Sequence, residues 1–526
     1  MGPIPICVIV VYLALVTAVG MALSRRTRSS RDWAVAGGGM SLLMVAVGIA
    51  GTRIGGAGTY GVAGNVMNGD SGGGVWNMWW YAISTFLAMA LVGGLFAVAY
   101  RRLKLQTVGE IFTLRFGSRR CQVLTSLCVQ TEYLIVNVIE AYVIGIILTA
   151  VTGMPMYITV AIAAAVLVSY ISAGGLWGSA VTNLIHCVTI LVGLGLVGYL
   201  GIGHLGGWEV IKERIDTHLA EGGRDGPAWW SFTGASGFAV FGLVFSTAIH
   251  TPAASIYTNF ATSARSEKAI LPAFLLAGLI ASVMPLLAGL VGLETLAARG
   301  LDSGLGGYKN LTTLPTEINV WVGGLALAAI LAAVISSGGP ILLSSSTLFV
   351  RDWLPFTKGF SSAQNLRAYR ITTVIYGAFA AILAYLWSIA DSPVTILDIL
   401  LFGFAVVVPP AIAIGYVIYY RKTTEAGAYR GMLVGYAGGV IWYGVIRWAE
   451  WVDYAAPEGS SAVTRAVHFF FKDFLGSGKG LDPSYLTTIL PLIAVPLFSA
   501  MTRPSPDGEE EFYEVLSGKR VMEVES

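Results

Sequence analysis

The chain has 526 residues, of which 55% are hydrophobic and only 12% charged, with a formal net charge of +2. Soluble proteins carry about 25% charged residues, so these numbers exclude a soluble enzyme, a nucleic-acid binder, a disordered chain and a disulfide-stapled secreted domain. Most of the chain must therefore lie in lipid, as helices that each need about 20 apolar residues.

In chain order, about thirteen apolar segments meet that length. They run at 4–23, 40–67, 76–99, 121–150, 155–171, 179–204, 233–251, 270–297, 321–350, 371–390, 393–420, 430–449 and 485–501. The first has no basic residue before it and no small-residue cleavage site after it, so it reads as a retained span. Lys and Arg concentrate in 24–39, 100–120, 258–269, 351–370, 421–430 and the C-terminal tail. With an odd number of spans, these segments share one side, which the positive-inside rule makes cytoplasmic. The expectation is a multi-pass protein of the inner or plasma membrane, N-terminus outside and C-terminus inside. Cys7, Cys121, Cys128 and Cys187 lie in or beside apolar runs without metal-ligand spacing, and read as small buried hydrophobes. The acidic tail after 501 (Glu509, Glu510, Glu511) reads as a solvated, partly disordered end, with a docking segment as the sharper alternative.

Two segments break the apolar pattern. The first is Gly51-Thr52-Arg53-Ile54-Gly55-Gly56-Ala57-Gly58. Each glycine costs a helix roughly 1 kcal/mol relative to alanine, which weakens the helix near mid-membrane. An unwound segment frees carbonyls that suit a hard cation, and is tolerated only where protein or water covers it; close helix packing through small residues is the blander reading. Arg53 lies inside this stretch. A centred arginine costs about 2.5–3.5 kcal/mol on insertion scales, so it requires a partner. Glu132 and Glu140, eight residues apart on one face of the fourth segment, are the candidates. Arg53 then either meets a substrate carboxylate or forms a structural pair. The second break is Ala333-Val334-Ile335-Ser336-Ser337-Gly338-Gly339-Pro340, continuing into Ser344-Ser345-Ser346-Thr347. Its hydroxyls can bond back to their own helix. Paired beside Gly-Gly-Pro, they also form an oxygen-only donor set that suits Na⁺ and not zinc or iron.

Other polar residues carry less. His186 and His250 read as satisfied core histidines. Trp76, Trp79 and Trp80 read as an interfacial belt or as a stacking wall over a substrate.

These motifs, in this order, resemble those of the sodium/solute symporters. Thr52-Arg53-Ile54-Gly55-Gly56-Ala57 is similar to the family's Thr-x-x-Gly-Gly-Gly motif of the first core helix. Thr107-Val108-Gly109-Glu110-Ile111-Phe112 with Arg115-Phe116-Gly117 resembles its cytoplasmic loop, and Gly174-Gly175-Leu176 through Thr182-Asn183-Leu184-Ile185-His186 its Gly-Gly-Leu…Thr-Asp-x-Ile-Gln segment. Ala333-Val334-Ile335-Ser336-Ser337 followed by Ser344-Ser345-Ser346 resembles the sodium-site helix, and Tyr420-Arg421-Lys422 with Gly427-Ala428 the loop after the tenth core helix.

The resemblance implies an all-α membrane protein with a LeuT-type 5+5 inverted repeat. An extra helix at 1–23 precedes the first repeat at 40–204. The second repeat spans 233–420, two further helices 430–501, and a cytoplasmic tail 502–526. It implies Na⁺ as the coupling ion, held by Gly51, Ile54, Ala333, Ser336 and Ser337, with the Ala50 and Arg53 carbonyls as the one-residue slip on the first core helix. The expected substrate lining is Arg53, Gly56, Trp76, Trp80, Glu132, Asn137 and Phe404. The chain departs from the family at Asn183 and His186, where the family carries an acid and a glutamine, and at Thr258-Asn259, where a Gln-Arg pair is usual. A fixed charge at Arg53 would repel Na⁺ unless a carboxylate neutralises it.

The expected function is secondary active transport: Na⁺-coupled symport of a small organic solute, a carboxylate or zwitterion because of Arg53. No covalent chemistry, nucleic acid or obligate protein partner is expected; the partners are the solute and the lipid bilayer. The rivals are a proton-coupled carrier of the same fold, suggested by Asn183, His186 and the two glutamates, and a membrane sensor or transport-inactive scaffold.

Overall fold

The fold is described from a computed structural model covering residues 2–68, 74–234, 237–301, 304–354, 357, 359–390, 396–455, 459–468, 482–503 and 509–522. Among these the regular structure is helical. The principal helices are α1 (Pro3–Ala22), α2 (Leu42–Gly56), α3 (Val62–Asn68), α4 (Asn77–Leu91), α5 (Arg119–Thr152), α6 (Met156–His204), α7 (Gly237–Ile249), α8 (Ser255–Ser263), α9 (Ile270–Arg299), α10 (Val320–Leu348), α11 (Ser362–Ile389), α12 (Ile396–Tyr419), α13 (Glu425–Ala455), α14 (Pro483–Ala500) and α15 (Glu509–Ser517). Shorter helices and turns join them.

Polar side chains set the ends. Ser41 accepts from the Met44 N–H at the start of α2, and Asn319 accepts from the Trp321 and Val322 N–H groups at the start of α10. Ser361 and Gln364 close a reciprocal capping box on α11. Gly153 ends α5 at φ +74°, a left-handed position that glycine takes without strain.

Among the described residues ten helices are long and apolar enough to cross a membrane, or eleven if the bent pair 240–253 and 255–263 counts as one span. That is fewer than the expected thirteen. Part of the difference is α6. It carries the expected spans 155–171 and 179–204 as one 49-residue helix, interrupted by non-helical backbone at Gly175 (φ 56°, ψ −155°). At 1.5 Å per residue it would extend about 73 Å, far beyond one bilayer core of about 30 Å, so it accounts for more than one crossing.

The interior is built on α2, α5 and α10, each with 78% of its most apolar stretch buried, against 22% for α1. The side chains of α1 and α11 that point away from this core are apolar and exposed, among them Val11, Ile375 and Ile382. They form the surface that lipid covers. Cys7 is also exposed, contrary to expectation, while Cys121, Cys128 and Cys187 are buried as expected.

The tail departs from the solvated reading. Helix α15 folds back against the helical core beside Arg115 and the end of α12, burying Phe512, Tyr513 and Val515. Tyr513 Oη donates to the Val417 carbonyl at 2.8 Å, and Glu509 pairs with the buried Arg115 at 3.0 Å. The guanidiniums of Arg115 and Arg421 flank the Tyr513 ring. The amphipathic spacing of Phe512, Val515 and Leu516 was the available signal, and the Glu run hid it.

Candidate functional site

The first glycine-rich stretch is a true helix break. Gly55 adopts φ 52°, ψ 172° inside α2, followed by a π-helical turn at Ala57–Gly61 and then α3. This backbone region is open essentially to glycine alone. A Cβ at Gly55 would also lie 2.8 Å from Glu140 Oε1 and 3.2 Å from Ser337 Oγ. The restart exposes an N–H that no helical carbonyl reaches. Glu140 from α5 takes it: the Gly56 N–H donates to both carboxylate oxygens, at 2.9 and 3.1 Å. Thr59 Oγ1 donates to the Gly55 carbonyl at 2.9 Å.

A second break separates α7 from α8. A single turn at Thr251–Ala253, carrying Pro252, bends the pair by 56°. Proline has no N–H and forces its predecessor out of the helical register. The Ile256 N–H at the start of α8 donates to Tyr133 Oη at 2.8 Å. Both helix restarts are thus capped from one helix, α5, by residues seven apart and so on one face.

Helix α10 closes on the first break. Ser336 Oγ lies 2.9 Å from the Gly51 carbonyl and 2.8 Å from the Ala333 carbonyl. Ser337 Oγ lies 2.5 Å from Glu140 Oε1 and 3.0 Å from the Val334 carbonyl. Pro340 removes the N–H that would close onto the Ser336 carbonyl one turn earlier. The result is a cluster of carbonyl, hydroxyl and carboxylate oxygens from three helices, α2, α10 and α5. It is an environment for a hard cation. Among the described residues no group of His, Cys, Asp or Glu side chains suits a transition metal.

Beside the cluster lies a cavity of about 40 Å³, lined among others by Arg53, Tyr81, Glu132, Tyr257, Ser337 and Phe404. A water needs about 10–15 Å³, so the cavity has room for a few waters and is too small for an organic solute. Arg53 is 7% exposed. Its Nη2 donates to the Thr247 carbonyl at 2.8 Å, and its guanidinium stands 5.6 Å from the Phe404 ring centre. His250 also stacks on Phe404, with ring centres 3.9 Å apart, and its Nε2 is 3.7 Å from Glu132 Oε1. Arg53 Nε and Glu132 Oε2 have no hydrogen-bond partner within the protein.

The expected site residues divide accordingly. Gly51, Ala333, Ser336 and Ser337 come together, and Ile54 lines the cavity beside them. Arg53, Glu132 and Phe404 share the cavity, and Gly56 adjoins it through Glu140. Trp76, Trp80 and Asn137 do not line it. The two indoles donate to the Trp230 and Phe232 carbonyls and pack on Phe232, while the Asn137 amide bonds back to the Tyr133 carbonyl of its own helix. Neither carboxylate forms the expected direct pair with Arg53: Glu132 shares its cavity, and Glu140 turns to the break. His186 is a core histidine hydrogen-bonded to Tyr12, as expected, and His250 is also fully buried, packed behind the cavity-lining Phe404 and Glu132. Asn183 Nδ2 donates to the Gly48 carbonyl at 2.8 Å under the broken helix, presenting a donor where the family carries an acid. Tyr81 and Tyr257 were missed. For Tyr257 the signal was Thr251-Pro252 at the end of the apolar segment 233–251, which marks a second break.

Comparisons with known proteins identify the family and the fold. The family model described as the sodium:solute symporter family matches residues 33–435. Solute carrier family 5 member 4 of Rattus norvegicus is 23% identical, covering 96% of this chain and 79% of its own length. Sodium/glucose cotransporter 1 of Oryctolagus cuniculus is 22% identical, covering 95% of this chain and 79% of its own. Among solved structures, a Na⁺-coupled sialic acid symporter in a substrate-bound outward-open state superposes with a TM-score of 0.71 at 18% identity, over 96% of this chain and 99% of that one. MHP1, a nucleobase-cation-symport-1 family transporter, superposes with a TM-score of 0.56 at 14% identity, over 93% and 99%. The likeness in structure extends the LeuT-type helical fold to nearly the whole chain, and the match over residues 33–435 makes this chain a member of the sodium:solute symporter family.

Proposed function

We propose that this membrane protein carries a small zwitterionic or carboxylate-bearing solute together with Na⁺ by alternating access. Na⁺-coupled symport follows from the family. The observation that supports it in this chain is the meeting of Ser336 Oγ with the Gly51 and Ala333 carbonyls across a helix break. Gly51, Ile54, Ala333, Ser336 and Ser337 are the proposed ion ligands; Arg53, Glu132, Tyr257 and Phe404 are the proposed solute contacts. The unpartnered Arg53 Nε and Glu132 Oε2 favour a zwitterion, whose carboxylate and ammonium supply one complement each.

No bond is made or broken. A cation drawing α2 toward α10 organises the cavity walls, so each ligand raises the affinity of the other. Coupling requires that the closed state be reached readily only with both sites filled or both empty. The two repeats, 40–204 and 233–420, are proposed to rock against each other, with the N-terminus outside and the C-terminus cytoplasmic.

The test is two-stage. A thermal-shift screen of amino acids, betaines and carboxylates in Na⁺ and in K⁺ identifies a ligand that stabilises only in Na⁺. Uptake of that ligand into proteoliposomes is then driven separately by a Na⁺ and a pH gradient. Accumulation under the Na⁺ gradient alone supports the proposal. Accumulation under the pH gradient alone would transfer the assignment to the proton-coupled reading, which Asn183 in place of an acid favours.

A further inference from the structure

The five oxygens proposed for Na⁺ are all neutral, yet the same cavity contains the buried cation Arg53. A neutral cage beside a fixed positive charge in a low-dielectric interior holds a monovalent cation poorly. The described residues of the cavity wall include two carboxylates, and they are not equivalent. Glu132 lies on the Arg53 and His250 side, 3.7 Å from His250 Nε2. Glu140, two turns further along α5, is 1% exposed and reaches the opposite wall, where its Oε1 contacts Ser337 Oγ at 2.5 Å. The carboxylate is also pinned by the Gly56 N–H, so it cannot swing toward Arg53 without uncapping the restarted helix. Gly55 and Gly338 make room for it: a Cβ at either position would lie within 3.4 Å of the Glu140 side chain.

We propose that Glu140 is itself a ligand of the coupling cation, turning a neutral site into a charge-compensated one and leaving Glu132 to balance Arg53. This rests on the symport reading above and names the anionic ligand of its ion site. The hydroxyls are placed to allow it. Ser337 donates to Glu140 in the described state, but has a second acceptor in the Val334 carbonyl at 3.0 Å. Ser336 likewise has the Ala333 carbonyl at 2.8 Å. Each proton can turn to its own helix, leaving hydroxyl and carboxylate lone pairs for an ion beside the cavity that Ser337 and Glu140 line. The ion then links α5, α10 and the broken α2, and a shift of α5 reaches the α8 restart through Tyr133.

The test reads binding in the purified full chain. Melting temperature is titrated with NaCl at constant ionic strength against choline chloride, for wild type, Glu140→Gln, Glu140→Asp, Ser336→Ala, Ser337→Ala and the Glu140→Gln/Ser337→Ala double variant. Glu140→Gln retains an acceptor for the Gly56 N–H and removes the charge. It is expected to raise the Na⁺ concentration for half-maximal stabilisation at least tenfold, and the double variant is expected to lose less than the sum of the singles. If Glu140→Gln lowers the melting temperature but leaves half-saturation at the wild-type value, while Ser336→Ala abolishes the Na⁺ response, Glu140 is a helix cap only and the symport reading stands. If Na⁺ gives wild type no stabilisation over choline, both readings fall. Should Glu140→Gln not fold, Glu140→Asp decides: the charge is kept but withdrawn by one methylene, so half-saturation rises if Glu140 is a ligand and stays constant if it is not.

Discussion

Replacing Gly55 with alanine tests the break on which the site is built. At φ 52°, ψ 172° an alanine is strained by about 1–3 kcal/mol. Its Cβ would stand 2.8 Å from Glu140 Oε1, so the carboxylate must withdraw and the hydrogen bonds it accepts from Gly56 weaken. A hydrogen bond to a charged acceptor contributes about 1.5–3 kcal/mol. The two effects sum to about 2.5–6 kcal/mol, a large fraction of the stability of an ordinary domain. Gly195→Ala is the control: it lies inside α6 with nothing within 4 Å of the methyl group that alanine would add, so the change should be neutral or mildly stabilising. Melting curves of both variants, with and without Na⁺, are the assay. Gly55→Ala should melt several degrees lower and lose its Na⁺ response. Wild-type melting and an intact Na⁺ response in Gly55→Ala would mean that α2 runs unbroken and that the oxygen cluster has another origin.

Four further outcomes are expected. Tyr133→Phe should lower stability by about 1–2 kcal/mol in denaturant unfolding, because the buried Ile256 N–H loses its acceptor. Arg53→Gln should reduce solute affinity more than tenfold in a binding assay while Na⁺ still stabilises the protein; unchanged solute affinity with lost stability would leave Arg53 a structural role only. Trp80→Phe should leave solute affinity unchanged, because its indole N–H is spent on the Phe232 carbonyl outside the cavity. Tyr513→Ala should undock the tail at a local cost of about 2–4 kcal/mol and make 509–522 the first site of limited proteolysis.

What was legible in the sequence was whatever broke a simple pattern. Clustered glycines around an arginine inside an apolar segment announced the break in α2, because the glycines weaken the helix and a centred arginine needs a partner. Ser336-Ser337 beside Gly-Gly-Pro announced the facing helix for the same reason. The spacing of Glu132 and Glu140 gave their common face, but not that neither would pair directly with Arg53: that depends on the rotation of α5 against α2, which a single helix does not encode. Trp76 and Trp80 misled because an aromatic cluster at a span end has the same composition whether it lines a cavity or packs on a loop. Only Phe232, more than 150 residues away, decides between them. In α6 the sequence separated two spans at 172–178, where the structure keeps one helix interrupted at Gly175. Tyr257 and His250 depend on a break marked by a lone proline, a weaker signal than a run of glycines.

The central claim is that α2 and α10 hold a sodium ion between them, and equilibrium binding of ²²Na⁺ to the purified protein tests it most directly. Saturable binding in wild type, displaced by unlabelled Na⁺ and not by K⁺, and lost in a Ser336→Ala/Ser337→Ala variant that still melts cooperatively, is the predicted result. Undiminished binding in that variant would contradict it.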